Sequence, residues 1–206
     1  MKKLITLLIL LSFTIKAQEI KIGTQTWTTK NLNVSTYRNG DKIPQVQDAA
    51  VWVKLTTGAW CYYENKAENG AKYGKLYNWY AVNDPRGLAP NGYHIPTDAE
   101  CTILTDYLGG EEVAGKKMKS TSGWKTWNWN KNNGNGTNTS GFAGLPGGSR
   151  DLFGYLQHIG SYGHWWSSSE GYNGFVFSLS LLNNYGCVFR GSKDKTYGLS
   201  VRCLKD

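Results

Sequence analysis

The chain has 206 residues, 40% of them hydrophobic and 18% charged, with nine Trp, thirteen Tyr and 25 Gly. This composition excludes a disordered polymer and leaves room for one domain with its own core. The formal charge is +8, but the basic residues are scattered, as in Lys72, Lys75, Lys116, Lys117, Lys119 and Lys193, with no basic run in a nucleic-acid motif, which argues against a nucleic-acid partner.

The first segment reads as a secretory leader. Met1-Lys2-Lys3 is a short positive start, and Leu4 to Ile15 is apolar apart from Thr6, Ser12 and Thr14. Ile15-Lys16-Ala17 then places a small residue for cleavage. The apolar run is too short to span a bilayer comfortably, and no Cys stands at the cleavage site to take a lipid. The expectation is a signal peptide over 1–17 and a single domain over 18–206 that is secreted, periplasmic or at the cell surface, with no membrane span in the mature form. Lys2, Lys3 and Lys16 belong to the leader, so 20 basic residues face 15 acidic ones in the mature chain, a net charge of +5.

Lys21 to Leu32 reads as an opening strand and turn. Asn39-Gly40 signals a hairpin. Asp48 to Leu55 has helical composition with Asp48 as N-cap and Gly58 as the stop. Trp60 to Tyr63 predicts a strand carrying Cys61, and Tyr73 to Val82 an apolar, aromatic, buried segment. Pro96-Thr97-Asp98-Ala99-Glu100 is the clearest helix start. Thr97 caps, Glu100 reaches back to it, and Cys101, Leu104, Thr105 and Leu108 follow at helical spacing towards the core. Gly109-Gly110 ends that helix, and Val113 to Met118 predicts a second. Ser120 to Ser140 is a loop of Gly, Asn, Ser, Thr and Trp. Strands follow around Trp165-Trp166, at 174–182 with a period of two, at 186–190 and at 199–204, which together read as an antiparallel meander closed by the C-terminal strand.

Cys61, Cys101, Cys187 and Cys203 are an even set in an exported chain and permit two disulfides with three connectivities. Their spacings match no metal knuckle or redox pair, and His94, His158 and His164 are equally dispersed. The reading assigns no metal and no cofactor.

Trp27-Thr28-Thr29-Lys30-Asn31-Leu32-Asn33, Tyr73 to Val82, Gly92 to Glu100, Gly141 to Arg150, Trp165 to Glu170 and Ser200 to Cys203 occur in an order that resembles the Fibrobacter succinogenes major paralogous domain family. That family is found mostly in secreted or surface proteins of Fibrobacter-like and Bacteroidetes-like bacteria, and its activity is uncharacterised. Its pattern is similar to the C-type-lectin-like fold of sulfatase-modifying proteins. The resemblance implies an α+β class: short helices packed on small twisted antiparallel sheets with long loops. Ala89 stands where some members carry Cys, and Cys101 where Trp is usual. On this resemblance Cys61 pairs with Cys203 and leaves Cys101 with Cys187.

The chemistry-bearing patterns are incomplete. The paired cysteines of formylglycine-generating relatives and the His-His-Glu set of iron-dependent relatives are not recognisable. Glycoside hydrolysis needs two opposed carboxylates, to be sought among Asp98, Glu100, Glu111, Asp151 and Glu170. Leu145-Pro146-Gly147 lacks the acid and Asn of a calcium lectin. No catalytic residue is assigned. The polar loop carrying Trp124, Trp127 and Trp129 together with Asn128 and Asn130 offers ring faces for sugars and amides for hydroxyls. The expectation is a non-catalytic surface module contacting a polysaccharide there. A structural or adhesive domain that binds a cell-surface protein is the alternative, followed by an enzyme with an unrecognised site. Trp165-Trp166 and the arginines Arg150 and Arg202 are expected to be structural.

Overall fold

The computed structural model describes residues 18–126 and 134–206. Strands β1 (Glu19–Ile22) and β2 (Gln25–Thr28) form a hairpin. Helix α1 (Ala49–Trp52) is one turn long, and the Asp48 carboxylate accepts the Val51 N–H at 2.8 Å as the sequence predicts. It ends six residues before Gly58, which is instead buried against Ala81. Strand β3 (Trp60–Cys61), helix α2 (Ala67–Tyr73), strand β4 (Leu76–Tyr77), helix α3 (Trp79–Val82) and strand β5 (Tyr93–His94) follow. The buried aromatic segment 73–82 is thus split among three elements, with Asn78 capping α3 through its side chain.

Helix α4 (Asp98–Tyr107) starts on the predicted capping box. Thr97 Oγ1 accepts from Glu100 N at 3.2 Å, and Glu100 Oε2 accepts from Thr97 N at 2.8 Å. Cys101, Leu104 and Thr105 are buried. Gly109 and Gly110, both at positive φ, separate α4 from α5 (Glu111–Met118). Strands β6 (Ser149–Arg150) and β7 (Leu156–Gln157) form a small hairpin. β8 (Tyr162–Glu170), β9 (Val176–Leu182) and β10 (Val188–Lys193) form the meander, and β11 (Leu204–Lys205) is last.

The pairings are antiparallel throughout: β1-β2-β11-β5, β10-β9-β8, β3-β4 and β6-β7. The class is mixed α and β, with short helices and small antiparallel sheets. One expectation is corrected. The C-terminal strand does not close the meander but pairs with β2 and β5, in the other sheet. The segment before it, Leu199 to Cys203, threads between β4 and β8. Its backbone bonds Tyr77 on one side and His164 and Trp166 on the other, then Leu32 and Thr28. All five residues are at most 2% exposed. Buried on every face, the segment shows no true inside and outside, so its alternation carried no register.

Among the described residues no helix is long and apolar enough to cross a membrane. The core falls into three clusters. One gathers Tyr77, Trp79, Trp166, Leu199, Val201 and Cys203. A second lies under α4 and α5 with Trp27, Leu104, Met118, Phe142 and Trp165. The third surrounds Trp52 and Cys61.

A close approach explains one glycine. A Cβ on Gly115, inside α5, would stand 2.2 Å from the Cys187 carbonyl oxygen. The helix leans on that turn because Lys116 N donates to Gly186 O at 2.7 Å. Ala for Gly inside a helix ordinarily stabilises by about 1 kcal/mol. At Gly115 the sign should reverse, with Gly115→Ala losing about 1–3 kcal/mol through overpacking. Thermal unfolding of the variant measures this, and an unchanged or raised Tm would contradict the packing.

Four cations are buried: Lys75, Lys119, Arg150 and Arg202. Each is held by carbonyl or amide oxygens and an aromatic face, and none is in an ion pair among the described residues. Arg150 donates to the carbonyls of Gly154, Val46 and Gln47 and stacks on Trp52. Arg202 donates to Thr28 O, Phe142 O and Asn31 Oδ1 and stacks on Phe142. The structural role expected of both arginines is met by carbonyls and, for Arg202, an amide.

Lys119 Nζ donates to Leu182 O at 2.9 Å and Tyr185 O at 2.8 Å. Burial pushes its ammonium down from 10.5 to about 8. Between those values the unfolded chain holds more protons than the native one, so the penalty for burying this ammonium shrinks as pH rises. The wild-type unfolding free energy minus that of Lys119→Met should therefore climb from about pH 8 to 10.5. Buried Tyr77 and Cys203, whose pKa values burial raises, weaken both proteins together over the same range. Urea titrations across that range provide the test, and a flat difference would refute a charged, buried Lys119.

Candidate functional site

The Trp-rich loop is fixed at its base. Trp124 N donates to Asn135 Oδ1 at 3.0 Å, Lys125 N to Gly160 O at 2.7 Å, and Asn183 Nδ2 to Lys125 O at 3.0 Å. Gly134 returns against Asn183, where a Cβ would meet the Asn183 side chain at 2.6 Å. Trp124 itself is 4% exposed, its Nε1 donating to Ser120 Oγ at 3.0 Å and Gly144 O at 3.2 Å. This corrects one expectation: the Trp124 ring belongs to the core, because its apolar area and its N–H are both accommodated there. Trp127, Asn128, Trp129 and Asn130 lie outside the described residues.

The expected disulfides are not formed, and all four cysteines are free thiols. Cys61, Cys101 and Cys203 pack into three different core clusters, which separates the pair Cys61–Cys203. Burial raises Cys61 to about 11 and Cys101 and Cys203 to about 12. Such thiols are protonated and behave as small apolar side chains. Cys187 is half-buried in the turn before β10.

A groove of about 530 Å³ opens between the chain that leaves β2, the second half of α2 and the segments after α5 and before β6. Thr29, Lys30, Asn31 and Asn33 line it from the first, with Gln18, ahead of β1, beside Thr29, and Gly70 to Lys72 with Gly74 from the second. Ser120, Ala143 and Leu145 complete the lining. No carboxylate is among these residues.

The asparagines are rigid. Asn31 Oδ1 accepts from Trp165 Nε1 at 2.8 Å and Arg202 Nη2 at 2.9 Å, while its Nδ2 donates to Tyr73 O at 2.8 Å. Asn33 offers Oδ1 and its backbone carbonyl to Lys75 Nζ at 3.0 and 2.8 Å, and its Nδ2 donates to Gly70 O. Lys75 itself sits over the rings of Trp60 and Tyr62. These bonds tie the chain after β2 to α2, so the two sides of the groove are joined. A groove of this kind was not legible from any motif. Its only sequence signal was the Asn31-Leu32-Asn33 pattern, with Leu32 buried and the flanking amides turned towards α2.

A second cavity of about 360 Å³ is lined by His94, Glu100 and Asp206 among others. His94 Nδ1 lies 2.7 Å from Asp206 Oδ1 and Nε2 lies 3.0 Å from Glu100 Oε1. Burial opposes the imidazolium, but bonds to Asp206 and Glu100 prevail and raise the pKa. Both ring nitrogens are occupied, and Glu100 also closes the α4 cap, so His94 acts as a tie between β5, α4 and the C-terminus.

The other four carboxylates considered for an opposed pair are likewise engaged. Asp98 pairs with Arg190, Glu170 with Lys195 at 2.9 Å, and Glu111 lies 3.9 Å from Arg190. Asp151 accepts the amides of Phe153 and Tyr155 and pairs with Gln157. Among the described residues, no group of three His, Cys, Asp or Glu side chains is placed to hold a metal ion.

A match to the Fibrobacter succinogenes major domain covers residues 20–205, and with them the core and all of the groove lining except Gln18. The chain belongs to that family. No curated protein and no solved structure matches it.

Proposed function

We propose that this protein is a secreted, non-catalytic binding module of C-type-lectin-like architecture that holds an extracellular polysaccharide in the groove between β2 and α2. The observation that carries this reading is a rigid, half-open groove lined by amides, hydroxyls, lysines and backbone. Such a lining suits a ligand rich in hydroxyls, and its size suits a few sugar rings. The leader-like first 17 residues support export. Trp127 and Trp129 add stacking faces in this reading. Glycan-array binding tests it with three proteins: the wild type, Ala71→Trp, which fills the groove from an exposed position, and Trp127→Ala/Trp129→Ala. Signal lost with Ala71→Trp supports the groove. Signal lost only with the double variant moves the contact to the loop, and no signal from the wild type overturns the reading.

The tip of the β6–β7 hairpin favours a second reading, adhesion to a cell-surface protein. Phe153 and Tyr155 are 66% and 64% exposed, on a turn fixed by Asp151 below them. Rigid exposed aromatics are common anchors of protein contacts. If this reading holds, Phe153→Ser/Tyr155→Ser abolishes attachment of the protein to cell surfaces and leaves its Tm unchanged. Undiminished attachment would remove it.

A further inference from the structure

The groove has an electrostatic character that its lining alone understates. Lys30 and Lys72 are exposed on it, and neither is in an ion pair among the described residues. Lys72 Nζ rests 4.9 Å from the centre of the Tyr73 ring. Lys72 also lies in the last turn of α2, where a cation complements the helix end. Lys30 has no such explanation. Behind the lining stand two buried cations. Arg202 is bonded to Asn31 and Lys75 to Asn33. Burial lowers the Arg202 pKa only to about 9, so its charge persists at neutral pH. Buried charges act through a low-dielectric interior and are weakly screened.

The polar groups reinforce this sign. The acceptor oxygens of Asn31 and Asn33 are already occupied by the buried cations, and Ser120 Oγ donates to Ser122 O while accepting from Trp124. The acceptors of Asn31, Asn33 and Ser120 are thus committed, which leaves Gln18 and Thr29 as the side-chain acceptors of a lining that carries positive charge. The acids nearest in sequence leave these charges unpaired. Glu19 bonds Tyr93 and Lys205, and Glu68, one turn before Lys72 on α2, forms no ion pair with it. A concave, positively charged surface with few free acceptors suits an acceptor-rich anion better than a neutral sugar.

We propose that the groove selects an acidic saccharide, with Lys30 and Lys72 contacting its carboxylate or sulfate groups. This rests on the saccharide-binding reading above and narrows its ligand class. The test is an NMR titration of the ¹⁵N-labelled protein with trigalacturonic acid, with its carboxyl-reduced neutral trisaccharide and with tetraglutamate. It follows the amides of Ala71, Gly74 and Ser120, and is repeated with Lys30→Gln/Lys72→Gln. The expected result is saturable shifts at these amides with the uronide, binding at least about tenfold weaker for the neutral trisaccharide, and a loss of about tenfold or more in the double variant. Raised salt should weaken the uronide and leave the neutral trisaccharide unchanged. Both lysines are exposed, so the double variant is expected to keep its amide spectrum. Equal binding of acidic and neutral trisaccharides overturns this inference and leaves the saccharide reading standing. Tighter binding of tetraglutamate overturns the saccharide class while keeping the charge. Shifts at none of these amides with any probe overturn both.

Discussion

Arg202→Ala is expected to destabilise the protein by about 3–5 kcal/mol, because it leaves buried acceptors without donors. Three oxygens lose this donor, Thr28 O, Phe142 O and Asn31 Oδ1, of which Asn31 Oδ1 keeps Trp165 Nε1. They belong to the strand β2, the segment before β6 and the groove wall, so one guanidinium joins three parts of the chain. Arg202→Lys should not restore stability, since an ammonium cannot reproduce the planar fork or its stacking on Phe142. Urea unfolding of the purified variants measures both. A loss below about 1 kcal/mol for Arg202→Ala would mean that water or a neighbouring donor replaces the guanidinium.

Trp166→Ala should have a comparable effect, about 3–5 kcal/mol, through the cavity it leaves. Trp166 is 1% exposed and packs in the cluster with Tyr77 and Leu199, and its Nε1 donates to Tyr77 O at 2.8 Å. Trp166→Phe separates the contributions: it retains most of the buried area and should lose about 1 kcal/mol, the size of one hydrogen bond. Calorimetric unfolding of the two variants provides the comparison. Equal losses would place the energy in the hydrogen bond and contradict the packing account.

The sequence was most informative where local chemistry decides the outcome. The Thr97–Glu100 capping box, the Asp48 cap, the glycine stop after α4 and the pairing of β9 with β8 and β10 depend on neighbouring residues or on one strand period. Trp165 and Trp166 were legible as core because they sit in a strand pattern. Long-range pairing was not legible. Leu199 to Cys203 has strand composition, yet it threads between two sheets, and only tertiary contacts select β2 and β5 as the partners of β11. Helix α2 was missed because Ala67-Glu68-Asn69-Gly70 has a weak apolar face and no side-chain cap.

The site was legible in part. A Trp in a polar loop reads the same whether its ring faces solvent or core, and Trp124 turned inward to satisfy its N–H on Ser120 and Gly144. The cysteine pattern misled for a related reason. Pairing depends on which cluster each thiol enters, and Cys61, Cys101 and Cys203 enter different ones. The groove arises from segments far apart in sequence, two of which, the chain after β2 and α2, are joined by asparagine amides. Its positive character comes partly from Lys75 and Arg202, whose burial no local pattern reveals.

Lysine footprinting by mass spectrometry tests the central claim most directly. The whole protein would be acetylated at limiting reagent with and without a saturating trigalacturonate concentration, and the modification of each lysine compared. The account predicts protection of Lys30 and Lys72, with exposed lysines away from the groove, such as Lys42 and Lys54, modified as before. Protection elsewhere with Lys30 and Lys72 unchanged would contradict the groove as the binding site.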